Sequence, residues 1–106
     1  MPGNALEGRL ALVLDKMLDI GHVARTLEAV GLSVRRHRSG DYAVSAEWCD
    51  LELEWDHPPQ LLLHGAVSDS GSNGSRIAEA LRRAGLAFWG EAYDGSGREI
   101  CRWPRS

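Results

Sequence analysis

"LEAVGLSVRRHRSGD", residues 27–41, and "LRRAGLAFWGEAYDGSG", residues 81–97, decide the fold of this chain. Each stretch runs from the end of a helix through a glycine into a strand and then a turn. Gly31 and Gly85 stand where a helix commonly needs a left-handed residue to stop. "SGD" and "DGSG" are rich in residues that accept turn geometry. Sliding the chain by 54 residues lays residues 10–34 on 64–88. Val13 then falls on Val67, Asp15 on Asp69, Ala24 on Ala78, Leu27 on Leu81, Gly31 on Gly85 and Leu32 on Leu86. Val23 on Ile77 and Val34 on Phe88 keep the apolar character. The matches mark a strand end, a helix core, a helix stop and the next strand.

Upstream of each stretch lies a short apolar run, "RLALVLD" ended by Asp15 and "LLLHGAVSD" ended by Asp69. Both read as strands with one or both faces buried, although Leu10, Val13, Leu14, Met17 and Leu18 also fit a helix over residues 6–19. Ile20, Val23, Ala24, Leu27 and Val30 form one helical stripe, with Asp19 as N-cap. Ile77, Ala78, Leu81 and Ala84 form the second, with Ser72, Asn73 or Ser75 as caps, and "GSNGS" at residues 71–75 reads as a flexible loop before it. Strands follow at about 32–38 and 42–48, and at 86–93 and 98–103. "DLELEWD", residues 50–56, alternates with a period of two, so Leu51, Leu53 and Trp55 are expected in the core. "HPPQ", residues 57–60, then breaks the chain, because proline cannot donate to a ladder. The expectation is a single α+β domain of two βαββ(β) pseudo-repeats, about 9–56 and 60–103, joined at Pro58-Pro59. Halves of this size gain by sharing one core.

Composition narrows the function classes. The chain has 106 residues, of which 43% are hydrophobic and 25% charged, as in ordinary globular proteins. Its net charge of −3 and the shortness of "RRHR", residues 35–38, argue against nucleic acid as a partner. No apolar run reaches the ~20 residues that span a bilayer, so no membrane partner is expected. "MPGNALEGRL" lacks a secretory pattern, which makes cytoplasmic location the default. Cys49 and Cys101 are too few and too far apart for a disulfide framework or a zinc site, and read as reduced thiols. No nucleophile–base spacing or phosphate-loop lysine stands out, and the chain reads as leaning away from catalysis.

The βαβββ order, used twice, resembles the vicinal-oxygen-chelate superfamily of glyoxalase I and the bleomycin-resistance proteins. "LEAVGLSVRRHRSGDYAVSAEWCDLELEWD" is similar to that family's first module, and "VSDSGSNGSRIAEALRRAGLAFWGEAYDGSGREICRW" to its second. "LVLDKMLDIGHVARTLEAVGLSV" is similar to the opening of the ACT regulatory domain, with Asp19-Ile20-Gly21 where that family often carries proline-glycine. A ferredoxin-like sheet with helices on one face covers the same elements. Strand alternation leaves an open sheet face carrying Arg35, His37, Glu47, Glu52, Glu54 and His64, with Trp89 beside it in step with Glu91 and Tyr93. This set is the expected ligand-binding surface. The chelate resemblance implies metal ligands at His64 and at Glu52 or Glu54, with Glu99 as a looser fourth. Leu10 stands where the first module would place its own, so neither metal nor cofactor is expected. The leading expectation is non-catalytic binding of a small molecule on a curved sheet, of a sequestration or resistance type. The alternatives are a protein–protein or regulatory module acting as a homodimer, and, last, a metal-dependent lyase or isomerase.

Overall fold

Leucines at every second position create the centre of the sheet. In the strand β1 (Gly8–Leu14), Leu10, Leu12 and Leu14 are buried while Arg9, Ala11 and Val13 face the other way. Only a period of two buries that set, so residues 8–14 are strand and the helical alternative is excluded there. The computed structural model describes residues 6–14, 19–56 and 60–104; Asp15, the Pro58-Pro59 junction, and Met17 and Leu18 of the helical alternative lie outside them. After β1 come α1 (Ile20–Ala29), β2 (Ser33–Arg36), β3 (Tyr42–Ala46), β4 (Cys49–Trp55), β5 (Leu61–Val67), α2 (Ser70–Arg83), β6 (Phe88–Tyr93) and β7 (Glu99–Trp103).

The strands form one seven-stranded sheet in the order β2-β3-β4-β5-β1-β6-β7, every neighbouring pair antiparallel. β5 and β6 are both antiparallel to β1, so they run parallel and α2 carries the chain over β1. α1 carries it from β1 over three strands to the far edge. Both helices pack on the same face. Leu10, Leu12, Leu14, Leu51, Leu53, Leu61, Leu63 and Val67 from the sheet meet Val23, Leu27, Ile77 and Leu81 from the helices, all at most 1% exposed. Among the described residues no helix packs on the opposite face. The protein is thus α+β, and no helix among the described residues is long and apolar enough to cross a membrane.

Local chemistry explains most boundaries. The Asp19 carboxylate accepts from the Gly21 N–H at 3.0 Å and opens α1. Gly31 (φ 99°) and Gly85 (φ 77°) end the two helices in the left-handed region. The second helix starts earlier than its sequence suggests. Asp69, at φ 46°, is its N-cap, and "GSNGS" forms its first turns rather than a loop. The Asn73 amide donates to the Ser68 carbonyl at 2.6 Å and the buried Ser70 hydroxyl to the Tyr93 carbonyl at 2.7 Å, which ties this end to the sheet. A Cβ on Gly74 would stand 3.2 Å from the Trp103 ring and 3.3 Å from Leu10, so a small residue is what lets α2 approach so closely.

The offset of 54 holds from helix to following strand. Val23 and Ile77, Ala24 and Ala78, Leu27 and Leu81, and Leu32 and Leu86 are all buried in the same role. It fails on the strands before the helices. The inward residues of β1 are 8, 10, 12 and 14, whereas those of β5 are 61, 63 and 67, with Gly65 in the same phase. Val13 therefore lies on the open face and Val67 in the core, and the two are not equivalent. Sheet position differs as well: β2 is an edge strand, while β6 lies beside β1. Trp55 is also not a core residue. It is 40% exposed although Leu61, directly opposite on β5, is fully buried, so alternation alone does not fix burial at the last position of a strand.

Candidate functional site

Directly opposed residues in antiparallel strands share a face, so the ladders fix the open surface residue by residue. One row runs Arg35, Ala43, Glu52, His64, Ala11, Glu91, Arg102 across all seven strands. The next row towards one end of the sheet runs Glu54, Leu62, Val13, Trp89. The face thus combines charge with an apolar band over its central strands.

Its charges are largely committed to each other. His64 lies opposite Glu52, but its Nε2 is 2.8 Å from Glu54 Oε2, one step along β4. Glu52 reaches the other way, to His37 Nε2 at 3.5 Å. His37 sits just past β2, in the turn whose backbone closes by its N–H donating to the Asp41 carbonyl at 2.8 Å. Arg102 pairs with Glu99 at 2.6 Å on the β7 edge. The Tyr93 hydroxyl donates to Glu91 at 3.1 Å, and this hydrogen bond holds the phenol pKa above its ordinary value. Six of the expected site residues lie on or beside this face: Arg35, His37, Glu52, Glu54, His64 and Trp89. Glu47 does not. β3 ends at Ala46, and Glu47 is exposed in the tight turn to β4. Leu10, the offset partner of His64, points into the core on the opposite face. Among the described residues no three His, Cys, Asp or Glu side chains gather as a metal site.

The helix side holds a different arrangement. A groove of about 550 Å³ runs along α2, between the C-terminal end of α1 and the β3–β4 turn. Its walls include Val30, Trp48, Ser72, Arg76, Ala80 and Arg83. Val30 is 45% exposed, a large apolar side chain left in solvent at the groove rim. The Arg76 guanidinium lies over the Trp48 ring, 4.7 Å from its centroid. Arg76 forms no ion pair with another described residue, whereas Arg83 is held by Glu79 at 3.3 Å. Beneath Trp48, Cys49 is buried, and the loss of water pushes its thiol up to about 11. A second cavity of about 490 Å³ lies near Phe88 and Trp103, and a third of about 250 Å³ near Asp69 and Asp94. None of the three is lined by Arg35, His37, Glu52, Glu54, His64 or Trp89.

The groove was missed in the sequence because the helix was begun too late. With α2 starting at Ser70, residues 72, 75, 76, 79, 80 and 83 recur at helical spacing as a second stripe, beside the core stripe of Ser70, Gly74, Ile77, Ala78 and Leu81. Trp48 and Val30 come from distant positions and no local pattern joins them to it. Comparison with protein-family models, with curated proteins and with solved structures finds no match to this chain.

Proposed function

We propose that this protein binds a small molecule without transforming it, and that the ligand lies in the groove between α1, α2 and the β3–β4 turn. The observation that carries this reading is the groove itself. Its volume of about 550 Å³ lies in the range of small-molecule sites, roughly 300–1,000 Å³. It joins apolar side chains to a few polar groups, the usual composition of such sites. The open sheet face, where the ligand was first expected, is a weaker candidate, because its carboxylates and histidines are engaged with one another. The resemblance to bleomycin-resistance proteins carries the same expectation of binding by sequestration. It also carries our view that the two strand–helix–hairpin units are copies of one ancestral unit, docked on the sheet in different positions. Native mass spectrometry of the purified protein tests the function. A co-purifying small mass that is lost in Trp48→Ala supports it. Amide shifts in NMR fragment screening that bypass Val30, Trp48 and Ser72 altogether would count against it.

A second reading is favoured by one observation, the sheet face on which no described helix packs, where the half-buried Val13 and Leu62 lie side by side on the central strands. Six inter-strand spacings of ~4.8 Å by a mean strand length of ~20 Å present roughly 600 Å² to a partner, approaching the ~800 Å² per side of a standard interface. On this reading a second copy of the chain covers the face, and the same spectrum would show twice the 11.6 kDa mass.

A further inference from the structure

We infer that the groove selects a carboxylate carried on an apolar body such as an aromatic ring, with Arg76 as the residue that reads the negative charge. This deepens the binding function proposed above and rests on it. The inference comes from how the two chemistries of the groove are placed. Trp48 closes one end of the groove, and the Arg76 guanidinium lies over its ring, 4.7 Å from the centroid. A guanidinium held over a ring by the cation–π attraction can keep N–H groups available for a carboxylate. Those groups can meet both oxygens of a carboxylate at once, which a lysine in the same place could not do. Arg76 is exposed and has no carboxylate partner among the described residues. Glu79, the acid on the same wall, is occupied by Arg82 at 2.9 Å and Arg83 at 3.3 Å, so it does not neutralise Arg76.

The rest of the lining fits the body of such a ligand. Val30 and Ala80 are apolar, and Ser72 and Ser75 add neutral hydroxyls on the wall nearer the start of α2. A neutral aromatic would gain only the apolar contacts. An anion without a ring would gain only Arg76. The groove rewards a molecule that has both.

The test compares 2-naphthoate with its neutral amide, 2-naphthamide, on the full-length protein at low salt, by titration in ¹H–¹⁵N NMR. Naphthoate should shift the Trp48 indole N–H and the Val30 and Ser72 amides, and bind at least about fivefold tighter than the amide, a modest share of a charge-assisted hydrogen bond in an open site. Arg76→Gln, a change on an exposed helix position, should abolish the preference while leaving the amide's affinity within twofold. If both compounds bind the groove equally, or if Arg76→Gln keeps the preference, the charge selection is wrong while the groove still binds. If neither compound moves these resonances at millimolar concentration, the inference fails; if fragment screening also bypasses the groove, the proposed function fails with it.

Discussion

Replacing Gly90 by alanine should damage the fold far more than the addition of a single methyl group suggests. Gly90 sits inside β6 at φ 156°, opposite Leu12 on the central strand and Trp103 on the edge. A Cβ at this position would overlap the Ala11 carbonyl oxygen and stand 2.8 Å from Leu12 Cα. Those are backbone atoms of β1, which is paired on both sides, so they cannot yield as a flexible side chain would. Holding a non-glycine residue at this φ costs about 1–3 kcal/mol. Overpacking against the ladder adds about 1–3 kcal/mol. The expected total of about 2–6 kcal/mol is a large part of the 5–15 kcal/mol that stabilises a typical domain. Gly85→Ala provides the control. Gly85 also has a positive φ, 77°, but a Cβ there meets nothing within 4 Å, so only the left-handed backbone cost of about 1–2 kcal/mol applies. Urea unfolding followed by circular dichroism would measure both. Equal losses for the two variants, within about 0.5 kcal/mol, would refute the close approach of β6 to β1.

Leu27→Ala and Leu81→Ala should each cost about 2–5 kcal/mol, since both leucines are fully buried between helix and sheet; denaturation midpoints at unchanged m-value would show it. Cys49 makes the fold sensitive to alkali. Its thiol keeps its proton to about 11 when folded, while the unfolded thiol loses it near 9.0, so its contribution is intact below pH 9 and disappears between 9 and 11. Two pH units correspond to about 2–3 kcal/mol, and Cys49→Ala should flatten unfolding free energy against pH across that window. For the same reason iodoacetamide at neutral pH should label the half-buried Cys101 and spare Cys49 until the protein unfolds, as peptide mass mapping would report. Glu54→Gln should change stability by less than about 1 kcal/mol despite the 2.8 Å contact with His64, because both side chains are about one-third exposed; a larger loss in thermal unfolding would make that pair structural.

The parts of the fold that were legible in the sequence are those written locally. Asp19 caps its own helix, Gly31 and Gly85 stop theirs, and Leu51 and Leu53 alternate with Glu52 and Glu54 in one strand. Errors arose wherever a distant contact outweighed local preference. Serine and glycine disfavour helix in isolation, yet Gly74 is needed where α2 meets Trp103 and Leu10, and so "GSNGS" is helical. The 54-residue match rests on a few buried helix positions, Val23, Ala24 and Leu27 against Ile77, Ala78 and Leu81, but a slip of one residue in a strand reverses its faces, which is why Val13 and Val67 matched in sequence and parted in space. The paired face of Glu52, Glu54, His64 and His37 could be anticipated from alternation. The groove could not, because Val30, Trp48 and Arg76 meet only after both helices have docked.

The place of β1 bears on how the chain can be made. Of the seven described strands it leaves the ribosome before the others, yet it occupies the interior of the sheet, and its partner β5 follows only after α1, β2, β3 and β4. Its second partner, β6, arrives later still. During synthesis "GRLALVL" is an apolar, strand-forming segment with neither neighbour present, the kind of segment that associates with other chains when left waiting. The meander β2–β3–β4 can pair locally in the meantime, but it cannot close the core without the strand held back at the N-terminus. A fragment ending before β5 should therefore be an aggregating chain rather than a smaller protein, and it is β5, deep in the sequence, that makes the first strand safe.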